Sequence, residues 1–390
     1  MATEAEARAH RALDLLAGDL PALGLALSGG GDSTALMHLA TDWAARRDVR
    51  LAAVTLDHGL RPDSAAEAAA VGRAATTLGI PHRTLHWDSS AASGNLAAAA
   101  RDARLTMIGD WARAEALPAV ALGHTRDDVA ETLLMRLGRG AGIDGLAAMK
   151  SRREAQGMVW LRPLLDLGRQ DLRDFLRRRG AEWIDDPTND DLRLDRARVR
   201  AAINAAGLDP ARLADSARHL ASARAALAQV AATAMASAAM DPDGSLHLPR
   251  PAFDTAPREV RRMILSAALS VLAGPGYPPR GDTIRLALDA LQAGRGASLG
   301  GMLATPRAGL LILTREPAAA ARAAPLQYDG IWDGRWRVTG VPPGCHVAAS
   351  AGSAAPALWR GATCLGPLPL AGTHAAPLRN LNDFRQILSM

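Results

Sequence analysis

Between Leu23 and His124 four short β-prone runs, "LGLAL", "VRLAAVTLD", "HRTLHW" and "PAVALGH", alternate with longer helix-like segments such as Ser64 to Gly79 and Asn95 to Leu117. Such alternation predicts parallel strands joined by crossover helices, an α/β fold built on a doubly wound, Rossmann-like parallel sheet. Sheets of this kind bind ligands outside the carboxyl ends of their strands. "SGGGDS", "DHGLR" and "GHTRDD" would all emerge there, so three polar loops converge on one crevice.

The texture changes after about Leu208. "ARLADSARHLASARAALAQVAATAMASAAM" keeps a helical pattern with no strand-like run, and "PREVRRMILSAALSVLA" and "GDTIRLALDALQAG" read as further helices. From Gly300 onward Gly, Pro and β-prone runs such as "AGLLILTRE" and "RWRVTG" predict a small mixed region. Three parts follow: an α/β domain over residues 1–207, a mainly helical domain over 208–300 and a partly β region over 301–390.

The chain is 48% hydrophobic and 22% charged, without long single-sign runs, which excludes a disordered tail protein. Its net charge is only +5 although the pI is about 10.1, because the basic residues are nearly all arginine. That surplus permits an RNA partner without demanding one. Cys345 and Cys364 cannot form a four-thiolate metal site, and they read as free thiols. "MATEAEARAH" lacks the pattern of a signal peptide and no apolar run reaches the length of a membrane span, which predicts a cytoplasmic protein.

"LALSGGGDSTALMHLA" joins a buried-strand run to a helix. Gly29, Gly30 and Gly31 let backbone amides face an anion without Cβ obstruction, and the following helix N-terminus adds partial positive charge. Ser28 and Ser33 can donate hydroxyl hydrogen bonds. Where a Walker A loop keeps a lysine, this loop has Asp32, which can hold a Mg²⁺ ion that neutralises a phosphate. A loop of this composition suits release of intact pyrophosphate. An Asp-Ser helix cap is the structural alternative for Asp32 and Ser33.

"SGGGDS" resembles the signature of the PP-loop, or N-type, ATP pyrophosphatases. "DHGLRPDS", "ARDAR", "GHTRDDVAET", "RGAGIDGLAAM", "RPLL" and "WIDDPTNDD" resemble, in order and spacing, the tRNA(Ile)-lysidine synthetase family within that superfamily, over about Leu23 to Arg200. Thr125, Leu105 and Ala197 stand where the family pattern has a second His, a Tyr and an Asn. The resemblance implies a carbon–nitrogen ligase using ATP and Mg²⁺. Its substrate would be the first anticodon cytidine of a tRNA(Ile) with a CAU anticodon, adenylated at the C2 oxygen and then attacked by L-lysine to release AMP.

Under that reading Ser28, Gly29, Gly30, Gly31, Asp32, Ser33 and His58 bind ATP, and Asp32 also holds the metal. Asp128 and Glu131, three apart on a helix with Asp127 adjacent, would form an anionic pocket for the ammonium groups of lysine. Acids in a first helical turn also answer the helix dipole without any substrate. His124 would contact nucleotide or cytidine, and Asp32, Arg104, His124 and Asp128 are the catalytic candidates. Arg101, Arg104 and Arg200 would meet phosphate or adenylate, with Arg196 beside them.

His58, Gly59 and Arg61 would close over the adenine or the target base. Trp183, Trp332 and Trp336 are candidate stacking platforms, although a core role suits each better. Other readings stay open: a tRNA thiolase or amide-forming synthetase of the same superfamily, or a non-catalytic nucleotide- or RNA-binding protein. Thiolation needs reactive cysteines near the nucleotide, and the first 344 residues contain none. Whether the chain forms a homodimer is not legible.

Overall fold

The computed structural model describes residues 3–59, 63–87, 96–185, 191–273, 281–370 and 372–389, the side chains of 96–99 and 101 excepted. The chain divides into two compact units, Met1–Ala221 and Ser222–Met390. The division falls inside one long helix, whereas the sequence places boundaries at 207/208 and 300/301.

In the first unit the elements are α1 (Glu4–Ala17), β1 (Ala22–Ala26), α2 (Gly31–Ala44), β2 (Arg50–Asp57), α3 (Ser64–Thr77), β3 (His82–His86), α4 (Leu96–Ala114) and β4 (Ala119–Leu122). These are followed by α5 (Arg126–Leu137), α6 (Ile143–Leu146), β5 (Arg152–Ala155), β6 (Met158–Leu161), α7 (Arg169–Arg179), α8 (Asp195–Ala205) and α9 (Pro210–Ala234). The sheet order is β3-β2-β1-β4-β6-β5, parallel throughout except for the β5–β6 hairpin at its edge. This is the doubly wound sheet expected from the sequence, with the strand order reversing beside β1.

β1 is buried along its whole length. Alternation explains why: Leu23 and Leu25 enter a core with Leu13, Leu36, Trp43 and Phe175, while Ala22 and Ala26 enter another with Val54, Ile108, Trp111 and Trp160. Helices α1, α2 and α7 supply one layer and α4 the other. The loops after β1 and β4 therefore leave the sheet side by side, fixed from both faces.

The second unit opens with β7 (Ala239–Met240), β8 (Leu246–Pro249), α10 (Arg250–Thr255), α11 (Arg258–Leu272), α12 (Gly281–Gln292), β9 (Ala297–Leu299), β10 (Met302–Arg307), β11 (Leu310–Arg315) and α13 (Pro317–Ala320). Then come β12 (Gly330–Trp332), β13 (Trp336–Thr339), β14 (Cys345–Ala349), β15 (Pro356–Arg360), β16 (Thr363–Pro367), β17 (His374–Pro377) and α14 (Leu381–Ser389). Its sheets are β7-β8-β11-β10-β9, β12-β13-β17 and β14-β15-β16.

Strands β7, β8 and β9 thus interrupt the region that reads as mainly helical. They are too short to impose a period of two; β7 pairs with β8, β8 also with β11, and β9 with β10. Helix α14 returns to bury Phe384 and Leu388 in the same core as α11 and α12. Among the described residues no helix is long and apolar enough to cross a membrane.

Leu13 is 1% exposed and anchors α1 on the sheet. Leu13→Ala should destabilise the first unit by about 2–5 kcal/mol. Urea unfolding followed by tryptophan fluorescence reads this as a lowered midpoint, and an unchanged midpoint would contradict the packing.

Candidate active site

The loop after β1 is folded on itself by hydroxyls. The Ser28 amide donates to Ser33 Oγ at 3.2 Å, Ser33 Oγ donates to the Gly30 carbonyl at 2.9 Å, and Thr34 Oγ1 donates to the Gly29 carbonyl at 3.2 Å. Ser28 Oγ lies 3.1 Å from Ser33 Oγ, whose proton is already committed, so Ser28 is the donor of that pair. Gly30 caps α2, and the first-turn amides of α2 have no acceptor within the helix.

Gly29 sits at φ +82°, and a Cβ there would lie 2.7 Å from Ile184 Cδ1 and 2.9 Å from Val71 Cγ2. The Ile184 amide donates to the Gly29 carbonyl at 2.9 Å and clasps the loop from behind. Gly123, at the exit of β4, faces the start of α2 so closely that a Cβ would stand 3.0 Å from Ser33 Cα. That approach sets His124 and the N-terminus of α5 beside the loop.

Together they enclose a cavity of about 280 Å³ whose wall includes Ser28, Gly30, Gly31, Asp32, Ser33, Arg104, His124, Asp128, Arg169, Arg196 and Arg200. Thr125 caps α5 in a reciprocal box: its hydroxyl accepts from the Asp128 amide at 3.4 Å and its amide donates to Asp128 Oδ2 at 2.8 Å. The residue that departs from the family pattern here is a helix cap. Leu105 packs against the α4 core and Ala197 is buried on α8.

One cation organises the acids. Arg169, the first residue of α7, places Nε 3.2 Å from Asp32 Oδ2, Nη1 3.1 Å from Glu131 Oε1 and Nη2 3.4 Å from Asp128 Oδ1. Its backbone amide donates to Asp127 Oδ2 at 2.8 Å. Glu131 is 2% exposed and also meets Arg200 Nε at 2.9 Å and Arg196 Nε at 3.2 Å. The acids foreseen as a lysine pocket are therefore gathered together and filled by the protein's own guanidinium groups.

Electrostatics separate the roles. Burial pushes the Asp32 carboxyl up to about 6, with Asp128 adding to the rise and Arg169 opposing it. Burial likewise drives the His124 imidazole down to about 4; Asp128 opposes this, while Arg162, Arg104 and Arg196 reinforce it. Burial would lower the Arg169 guanidinium, but Glu131, Asp32, Asp128 and Asp127 outweigh it and raise its pKa. Arg162 Nε donates to His124 Nδ1 at 3.3 Å, so the neutral ring carries its proton on Nε2 and is a hydrogen-bond donor there.

Other foreseen residues fall elsewhere. His58 is not in the wall of this cavity; it packs edge-on against Trp87, with ring centroids 5.9 Å apart, and the nearby Arg104 charge reinforces the lowering of its pKa by burial. Gly59 donates its amide to Asp57 Oδ1 at 2.9 Å. Trp183 lies beside Gly31 and lines a separate cavity of about 200 Å³ behind the loop. Trp332 and Trp336 are buried in a core of the second unit.

Arg61, the Arg101 side chain and residues 186–190 of "WIDDPTNDD" lie outside the described residues. Sequence reasoning missed Arg169 and Arg162. The local signal for Arg169 was "LGRQD" after "RPLL", a Gly and an acidic residue bracketing a helix start.

A family model described as the PP-loop domain matches residues 2–206. The tRNA(Ile)-lysidine synthase of Ruegeria pomeroyi is 44% identical over 321 residues, 82% of this chain and 76% of that one. The protein of the same name from Bradyrhizobium diazoefficiens is 43% identical over 302 residues, 74% of this chain and 82% of that one. A third, from Bradyrhizobium sp. strain BTAi1, is 38% identical over 327 residues, covering 79% and 91%.

Because burial holds the His124 pKa at about 4 while an unfolded histidine titrates near 6.5, the unfolded chain takes up the proton first and the fold loses stability progressively as pH falls from 6.5 to about 4. Imidazole resonances of the folded protein should show His124 still neutral at pH 5.5. Titration near 6.5 would contradict the burial and the Arg162 contact.

Proposed function

Because the chain belongs to the tRNA(Ile)-lysidine synthases of the PP-loop family, we propose that this cavity carries both halves of the reaction, adenylation at the loop and amine transfer at the acids. ATP is the adenylating substrate. The C2 oxygen of the anticodon cytidine bonds to the α-phosphorus as pyrophosphate leaves. An amine of L-lysine then forms the C–N bond at C2, loses its proton, and AMP departs with that oxygen. The observation that carries this reading is the single wall shared by the nucleotide loop, Asp32 and Asp128 of α5, with Glu131 joined to it through Arg169.

Mg²⁺ fits Asp32. Its Oδ1 is buried without a hydrogen-bond partner and its Oδ2 has only a displaceable guanidinium. Among the described residues no cluster of three or more potential ligands forms, which matches a metal held by one carboxylate and the phosphates of its substrate. When bound it would supply charge neutralisation to the departing pyrophosphate.

The remaining steps belong to the protein. Amides of Gly31, Asp32 and Ser33 cradle phosphate oxygens. Arg104, projecting from α4 into the cavity, offers a fixed positive charge to the adenylate. His124 donates from Nε2 without bringing charge, which suits an oxygen that must later leave. Asp128 and Glu131 receive the ammonium group of lysine. We assign the second unit the task of holding the body of the tRNA, and the substrates place the work in the cytoplasm. No step requires a second copy of the chain.

Purified protein incubated with ATP, lysine and unmodified tRNA should increase the cytidine mass by one lysine less one water, and omission of any one should abolish this. Mass unchanged in the complete mixture would refute the reaction. Asp32→Asn should keep the fold but slow AMP release on the order of a hundredfold or more; undiminished release would remove Asp32 from the chemistry.

A further inference from the structure

We propose that Arg169 makes lysine binding conditional on ATP, acting as a positioning and specificity-determining residue. The inference rests on the reading of Asp128 and Glu131 as the ammonium subsite. In the absence of substrates both carboxylates of that subsite already face guanidinium groups, although Glu131 Oε2, 3.2 Å from Arg196 Nε, forms no hydrogen bond. Asp128 Oδ2 takes the Thr125 amide and hydroxyl at 2.8 and 3.1 Å, and its Oδ1 faces Arg169. Glu131 Oε1 accepts from Arg169 and Arg200, and its Oε2 faces Arg196. A further cation entering here would meet guanidinium groups beside buried carboxylates they already neutralise, which costs free energy.

Among the described residues Arg169 is the cation that also touches Asp32, across the cavity from α5. Engagement of Asp32 by a metal–triphosphate removes one of the three carboxylate contacts of the guanidinium. It also sets a like charge against the guanidinium and presents phosphate oxygens as new partners. The side chain is 15% exposed and lines the cavity, so it has open space on that side. Once it turns to phosphate, Asp128 and Glu131 lose a counter-charge and the subsite accepts an ammonium. A guanidinium that shares three carboxylates at 3.1–3.4 Å thus couples the two substrate sites.

Coupling of this kind is reciprocal: if ATP tightens lysine binding by a factor, lysine tightens ATP binding equally. It would also keep lysine from occupying the site before the nucleotide that activates its target is bound.

The test is calorimetric titration of the full chain with L-lysine, with and without Mg²⁺ and a non-hydrolysable ATP analogue. The natural protein should bind lysine on the order of tenfold more tightly with the analogue present. Arg169→Gln should bind lysine equally in both conditions, at least as tightly as the natural protein does with the analogue. Arg169→Lys, retaining charge on a shorter reach, should restore part of the dependence and serves if the glutamine variant does not fold. Equal affinity of the natural protein in both conditions, or full dependence in Arg169→Gln, overturns the coupling. Absence of lysine binding in every condition overturns the ammonium subsite itself, and the two failures are distinct.

Discussion

A carboxylate that is 2% exposed cannot stand alone, and Glu131 is such a carboxylate. Its partners Arg169, Arg196 and Arg200 come from α7 and α8, so one buried charge fastens three helices around the cavity. Remove that charge and three guanidinium groups lose their common partner beside a phosphate site. The position of α7 relative to the nucleotide loop, and with it the contact between Arg169 and Asp32, follows from this pairing. A residue that reads in isolation as a substrate ligand is therefore also the keystone of the site's frame.

Charge in the cavity is graded. At the loop end stand amides, hydroxyls and Arg104, all suited to phosphate; at the α5 end stands Asp128, with Glu131 linked to it through Arg169. Between them His124 is kept neutral by burial among arginines, so it can offer a proton to an oxygen without adding positive charge. Asp32 is shifted in the opposite sense, which means its carboxylate gains from any cation that approaches its unpartnered Oδ1. An enzyme that must first activate an oxygen and then expel it needs both kinds of group within reach of one atom.

Much of this could be read from the residues. The four central strands are local apolar runs with clear turns around them, and their alternation with helices is enough to predict a parallel sheet and a shared edge for "SGGGDS" and "GHTRDD". What escaped notice has a common cause. Arg169 chooses its partners across the tertiary structure, and no spacing in "LGRQDL" reveals three acids on other elements. Thr125 looks like a loss when judged by family pattern, yet a capping threonine is a local signal that was available. β7 and β9 have two and three residues, too few to show an alternation, and each pairs with the strand that follows it. Trp332 and Trp336 obey the bland expectation for tryptophan and sit in a core.

The clasp between Gly29 and Ile184 has a consequence for how the molecule comes into being. The segments that form β1, α2 and their neighbour β2 have all been made once residue 57 has left the ribosome. The bend between them is braced by an amide 155 positions later in the chain, delivered only after α7 has docked. The nucleotide loop is therefore among the last features to take its working shape, and a nascent or truncated chain ending before Ile184 would present a scaffold without a grip.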